Sequence, residues 1–327
     1  MGRPYLLAGS FVLLIVAPMA AQTGTAPRGS AERNAGKPVP RSADGRPDLQ
    51  GVWTNDTYTP LERPTGFEDK AFFSAPEAAA FRKQVRDDIL ALLGEVNQKT
   101  TGDIGYTEFG ALLADRRTSL IVDPASGRIP PPLPSARRRL EASEARKADG
   151  PEDFDAPSRC LSWPSPPMLP PPGNTQVQIV QTRDYVVIFS EQFAEARVVP
   201  LDGRPHLPSA VRRWKGDARG RWEGDTLVVD TTNFRAKGPD HALDRLKGSD
   251  ESLHLIERFS LADADTILYR FTIDDPTAYE RPWTAEIPLA RTGRRMFEFA
   301  CHEGNYSLEN SLRGARAEER RKAAGEK

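Results

Sequence analysis

Between Val177 and Cys301, short apolar runs, some alternating with polar residues and some continuous, are cut at regular intervals by turn residues. The runs cover 177–181, 185–191, 196–200, 220–224, 226–232, 253–259, 266–273, 283–289 and 296–301. Thr-Arg-Asp, Asp-Gly-Arg-Pro, Glu-Gly-Asp, Ala-Asp-Ala-Asp, Asp-Asp-Pro and Arg-Thr-Gly separate them, residues that favour turns or tolerate positive φ. No helical pattern long enough to cross between strands intervenes. The spacing predicts a mainly β fold, an antiparallel meander over 176–306 that closes into a barrel or sandwich.

The N-terminal half has a different texture, with a first strand and then a helical and Pro-rich insertion over 47–175. Ser74 and Glu77 have capping-box spacing, with Pro76 in the first turn, and Phe81, Val85, Ile89, Leu92 and Val96 recur every three or four residues. This predicts a helix packed on the outside or the mouth of the barrel. Apolar residues 119–122 and 128–130 flank Asp123-Pro124-Ala125-Ser126-Gly127, which predicts a hairpin. Residues 136–148 look helical, carry only Leu140 as a large apolar group, and belong on the surface. Residues 151–173 are Pro-rich and should run extended over the surface. A charged helical tail is expected over 307–327.

The first residues are an address. Arg3 gives a positive start, residues 6–16 an apolar core too short to span a membrane, and 17–21 a small-residue cleavage region. A signal peptide over 1–21 followed by a disordered linker over 22–46 is expected, with a mature protein that is periplasmic or secreted and has no transmembrane segment. The formal net charge of -1 provides no global field for nucleic acid or anionic lipid, and a mean hydropathy of -0.54 with 29 Pro and 25 Gly means much loop. Export changes how the two cysteines read. In an oxidising compartment the pair Cys160 and Cys301 is expected to be bridged, the alternative being two buried free thiols.

Pro47-Asp48-Leu49-Gln50-Gly51-Val52-Trp53 ends in G-x-W, where the Gly lets the chain pass close while the indole plugs one end of a barrel. This start resembles the opening strand of lipocalins. The strings DGRPDLQGVW, DPASGRIP, GDARGRWEGDTLVVDTTNF and FACHEGNY resemble a family of exported bacterial proteins to which no activity is assigned. That resemblance implies a similar fold and export, and carries over no site residue.

The chemistry-bearing residues are sparse. The four histidines, His206, His241, His254 and His302, form no dense metal spacing, and there is no phosphate loop, nucleophile elbow or dinucleotide glycine pattern. No metal and no cofactor are expected. His302, followed by Glu303, Asn305 and Tyr306 at the end of the last run, has the makings of a general base with an orienting carboxylate. The same residues otherwise serve as a turn beside a disulfide. Arg197, Asp202, Arg204 and His206 form a second cluster, either a structural ion pair or a guanidinium clamp for an anion. Trp53, Trp222 and Trp283, the latter two beside Arg221 and Arg281, are core plugs or ligand walls.

The first functional expectation is an exported barrel binding a small apolar or amphipathic ligand between those tryptophans, with Arg197, Arg204, Asn305 and Tyr306 at the mouth. The alternative is a cofactor-independent acid/base enzyme, a hydrolase, lyase or isomerase, using His302 with Glu303 or Asp202, helped by His206 and an Arg clamp. A structural role in the cell envelope is the third. Convergence of His302, His206 and Arg204 on one cavity would favour the enzyme.

Overall fold

The computed structural model describes residues 38–100, 112–145, 149–163, 165–170, 176–235, 246 and 248–325. The chain divides into two units, Met1–Ala35 and Gly36–Lys327, and every described residue belongs to the second. The expected signal peptide, most of the expected linker and His241 lie outside the described residues.

Ten strands form one sheet: β1 Gly51–Thr54, β2 Ile121–Asp123, β3 Gln176–Gln181, β4 Tyr185–Ser190, β5 Glu195–Pro200, β6 Asp217–Glu223, β7 Thr226–Thr232, β8 His254–Asp263, β9 Thr266–Asp274 and β10 Trp283–Arg291. Among the described residues three α-helices accompany them, α1 Ala75–Thr100, α2 Pro134–Glu144 and α3 Ser307–Ala323. The spatial order is β5-β4-β3-β1-β10-β9-β8-β7-β6, with β2 also on β10. Every hydrogen-bonded pair is antiparallel, and the sheet curls into a nearly closed, lipocalin-like barrel.

The number of strands in the ring has a consequence. Antiparallel pairing reverses direction at each step, so nine strands in a ring leave one neighbouring pair running the same way. That pair is β5 and β6, and no backbone ladder joins them. A strand running parallel to its predecessor cannot follow a tight hairpin, so residues 201–216 carry the chain back along the outside. Ring closure here rests on side chains. A Cβ on Gly220 of β6 would lie 2.8 Å from Val199 Cγ1 and 2.5 Å from Leu201 Cδ2, so only glycine lets the two strands approach there.

Alternation fills the interior as period-two strands require. Leu255 and Phe259 of β8, Tyr269 and Phe271 of β9, and Trp283 and Ile287 of β10 all point inward and are fully buried. Their rings form a chain: Phe259 to Tyr269 4.9 Å, Tyr269 to Phe271 5.7 Å, Phe271 to Trp283 5.8 Å. Burying each large apolar side chain contributes about 1.5–3 kcal/mol.

One end is plugged as the G-x-W pattern predicts. Trp53 is fully buried, its Nε1 donates to the Leu49 carbonyl at 2.9 Å, and the Arg291 guanidinium lies 4.2 Å from its ring centroid. Arg291 Nη1 donates to the Gln50 carbonyl at 2.8 Å, and a Cβ on Gly51 would meet that nitrogen at 2.3 Å. Residues 38–46, the end of the segment expected as a linker, form a turn here, with Arg41 paired to Asp225 at 2.7 Å and Arg46 over the Trp222 ring at 5.8 Å.

Several expectations are corrected at the other end. The Pro-rich stretch does not simply run over the surface: Met168 and Leu169 are buried and stop the barrel from above, because a short extended segment with two apolar side chains fits where strands diverge. The 119–130 stretch makes no hairpin. Its first half becomes β2 and pairs with β10 beyond the end of β1, taking up edge groups that β1 leaves unpaired. Helix α2 is not free on the surface: Ala136 is fully buried, Ser135 Oγ donates to the Thr277 carbonyl at 2.6 Å and Arg139 Nη2 to the Gly248 carbonyl at 2.8 Å.

Residues 296–300 form no strand, Cys301 begins a turn, and Phe297 is 72 % exposed. They are held instead by Glu191 Oε1, which accepts the Phe297 N–H at 2.8 Å, and by Phe299 stacked on Phe193 at 4.7 Å. The capping box of α1 is present, with the Ser74 N–H donating to Glu77 Oε2 at 2.9 Å. Phe81 stacks on Phe73 at 5.0 Å, whereas the side chains of Ile89, Leu92 and Val96 lie outside the described residues. Cys160 and Cys301 are bridged, with their Cα atoms 5.6 Å apart, so the link ties the Pro-rich segment to the C-terminal stretch.

Candidate functional site

The register of β4 against β5 pairs Ile188 with Arg197 and Val186 with Val199, so Arg197 shares the inward face with those apolar residues. A guanidinium in a barrel interior needs a partner, and Glu257 of β8 supplies it. Arg197 Nη2 lies 2.7 Å from Glu257 Oε2, with Arg197 only 11 % exposed and Glu257 not at all. The Tyr269 hydroxyl donates to Glu257 Oε1 at 2.8 Å and accepts the Met168 N–H at 3.1 Å. Burial, and next to it the charge of Glu257, pushes the Tyr269 phenol well above its ordinary value, so it remains a donor. One polar chain thus runs from β5 through β8 and β9 to the segment that stops the barrel.

Beside Arg197 lies a cavity of about 180 Å³. Val177, Ile188, Met168 and Leu169 give it apolar walls, and Trp163 with Pro166 flank it. Its polar edge is Asn55, Arg197, Glu195 and Lys215. Lys215 Nζ reaches Glu195 Oε2 at 2.7 Å and donates to the Trp163 carbonyl at 2.6 Å, while the Trp163 N–H donates to Glu195 Oε2 at 3.1 Å. These contacts stitch β5 to the approach of β6 where no backbone ladder does. Asn55 Nδ2 donates to the Met168 carbonyl at 3.2 Å, which leaves its buried Oδ1 without a hydrogen-bond partner. The Nε of Arg197 is likewise buried and without one, and its Nη2 meets Glu257 Oε2 as an ion pair outside hydrogen-bond geometry. Among the described residues, buried polar atoms left in this way are few and call for an explanation.

The turn between β4 and β5 carries strain at the same edge. Phe193 and Ala194 have φ of 60° and 47°, next to Gln192, which lines the cavity. Each such residue costs about 1–3 kcal/mol and persists only where its surroundings fix it, as at ligand clamps. Here Phe193 lies between Phe299 and Trp163, the latter at 6.1 Å.

The structure separates the residues singled out in the sequence. His302 and Glu303 sit in an exposed turn beside the disulfide; Asn305 Nδ2 contacts Cys160 Sγ at 3.0 Å, and Tyr306 is 67 % exposed. His206 lies elsewhere, on the outer face of β6 and β7. Its Nδ1 is 3.1 Å from Asp217 Oδ2 and its Nε2 3.0 Å from Asp230 Oδ1, an oxygen that His254 Nε2 also reaches at 3.0 Å. Burial would raise Asp217, but the Leu207 N–H, His206 and Arg219 outweigh it and hold the carboxyl below its ordinary range. Arg204 folds back on Asp202, its Nε 2.6 Å from Oδ2, which also holds Asp202 low. Arg197 pairs with Glu257 and not with Asp202, because β5 alternation turns it inward.

Trp53 plugs the closed end, Trp283 is core and Trp222 is half-buried under Arg46, so none of the three lines the cavity. Arg281 pairs with Asp123 and Arg221 with Glu223, and the guanidinium over an indole comes from distant residues instead. Sequence reasoning missed Glu257, Asn55, Trp163 and Lys215. Only Glu257 left a signal: it shares the parity of Leu255 and Phe259, a carboxylate on an otherwise apolar face.

Among the described residues no group of three or more His, Cys, Asp or Glu side chains is placed to hold a metal ion, and no helix is long and apolar enough to cross a membrane. The chain matches no family model, no curated protein and no solved structure.

Proposed function

We propose that the barrel binds a small amphipathic compound in the cavity beneath Met168 and Leu169. The observation that carries this reading is the composition of the cavity wall, apolar on Val177, Ile188, Met168 and Leu169 and polar at one edge, where Asn55 Oδ1 has no hydrogen-bond partner among the described residues. A cavity of about 150 Å³ lined by apolar groups accepts a benzene-sized body, and a partnerless buried acceptor gains from a ligand donor. The acid/base alternative has less support, since His302 and His206 face no common space.

The test is ligand-observed NMR with 3-phenylpropanol, whose ring matches the cavity and whose hydroxyl can reach Asn55. Binding to the wild type that is lost in Ile188→Phe, a variant that fills the cavity, is the expected result. Equal binding to both, or none to either, refutes the reading.

Export is part of the same proposal. The Cys160–Cys301 disulfide and the apolar stretch over residues 6–16 support it. Fractionation should place the protein outside the cytoplasm with Gln22 as its N-terminus; an intact Met1 on the mature protein overturns it.

A further inference from the structure

Trp53 with Arg291 fills one end of the barrel, and Met168 with Leu169 cover part of the other. The seam between β5 and β6 offers a ligand a way in from the side. Gly220 packs on Val199 and Leu201 and closes the lower half. In the upper half the strands part around a groove of about 610 Å³, bounded outside by the returning 204–216 segment. Groove and inner cavity share Ala196, Arg197 and Lys215 as wall residues, so the two spaces are neighbours across the seam.

The groove has a sign. Its wall carries five cationic side chains, Arg197, Arg204, Arg213, Lys215 and Arg219, against the single carboxylate of Asp217. Four of the five have a carboxylate partner: Glu257, Asp202, Glu195 and Asp217 respectively for Arg197, Arg204, Lys215 and Arg219. The exposed Arg213 has none among the described residues. Next to it Trp214 turns an indole into the groove wall and is held by the Arg235 guanidinium 5.3 Å from its ring centroid. A cleft with an excess of one charge draws in a ligand of the other, and guanidinium groups suit a carboxylate by geometry.

We infer that the ligand is an anionic amphiphile, a carboxylate with one ring-sized or short aliphatic body, that enters sideways through the β5–β6 seam. Its apolar body lies in the inner cavity and its carboxylate in the groove, within reach of Arg213. This rests on the cavity reading above for the place of the apolar body, moves the head group from Asn55 to a carboxylate in the groove, and adds the route. The seam is available because the ring holds nine strands, which forces β5 and β6 parallel and leaves them unladdered.

Three compounds with one body and different heads test it: 3-phenylpropionate, 3-phenylpropanol and 3-phenylpropylamine, titrated into the full-length exported protein. The acid should bind at least about tenfold more tightly than the alcohol at about 0.05 M salt, and lose most of that advantage at about 0.5 M, where screening reaches only a few ångströms. Arg213→Glu should abolish the preference and leave alcohol binding unchanged. If alcohol or amine binds as tightly as the acid, or if Arg213→Glu leaves the preference intact, the head-group inference is overturned while the cavity reading stands. If none of the three binds, both fall.

Discussion

Arg197 Nη2 sits 2.7 Å from Glu257 Oε2 inside the barrel, and the two residues reach each other from β5 and β8, strands that are not neighbours in the sheet. Removing one member of a buried pair leaves an uncompensated charge, which is more damaging than losing both. Arg197→Met should lower unfolding free energy by about 3–5 kcal/mol, and the double variant Arg197→Met with Glu257→Gln should regain much of it. Urea denaturation of the four proteins checks this. Additive losses in the double variant would count against a coupled pair.

Gly51 has a φ of 136°, and a Cβ there would collide with Arg291 Nη1 at 2.3 Å. Gly51→Ala should therefore cost about 1–3 kcal/mol from backbone strain, with more from displacing Arg291 off the indole. The fluorescence of Trp53 should change with it. A Gly51→Ala protein with wild-type stability would show that the plug tolerates a side chain.

The outer cluster predicts a dependence on pH. The hydrogen bond to Asp230 raises His254 above its ordinary value, against burial that lowers it, with Asp274 adding to the rise; the same bond lowers Asp230. His206, Asp217 and Arg219 complete the charged surroundings. A raised His contributes fully below its unfolded value of about 6.5 and loses that contribution as pH climbs through the folded value. A lowered Asp contributes above about 3.9 and loses it as pH falls through its folded value. The stability difference between wild type and Asp230→Asn should thus be largest between about pH 4 and pH 6.5 and shrink on the alkaline side. Denaturation curves taken at about pH 5.5 and about pH 9 decide it; a difference that grows with pH contradicts the assigned pairing.

The disulfide spans a sequence separation of 141 residues. In the loop-entropy treatment such a link is worth about 5 kcal/mol at most. Cys160→Ala with Cys301→Ala should lower the melting temperature clearly, and reductant should do so in the wild type but not in the double variant. An unchanged melting temperature would mean that Glu191 and the Phe193–Phe299 stack suffice to hold the C-terminal stretch.

Local rules made much of the fold legible. Runs of period two, bounded by residues that only turns accommodate, place β3 to β5 and β7 to β10 within a few residues of their observed bounds. The Met296–Cys301 run failed as a strand because the Phe297 N–H goes to the Glu191 carboxylate and the Phe299 ring is held by stacking on Phe193. Nothing in its own pattern records that. The site was far less legible. Asn55, Trp163 and Lys215 come from three separate segments and meet only because Met168 and Leu169 fold down onto the strands. His302 looked chemically loaded because of its neighbours in the chain, and the disulfide holds that turn away from the barrel interior.

By itself the sequence determined what depends on near neighbours: the β alternation, the turns, the capping box at Ser74, and the plug at Gly51 and Trp53; the presence of just two cysteines added their pairing. Alternation also fixed that Arg197 lies on the same face as Val199, and Glu257 on that of Phe259, but not which face is inside. The tertiary structure decided that, together with the parity of the ring. Nine strands force one parallel, unladdered seam, and whether a ring holds eight, nine or ten is settled by pairing between β1 and strands far away in the chain. Contacts of that kind have no local signature, because their energy comes from surfaces that meet only after the chain has closed.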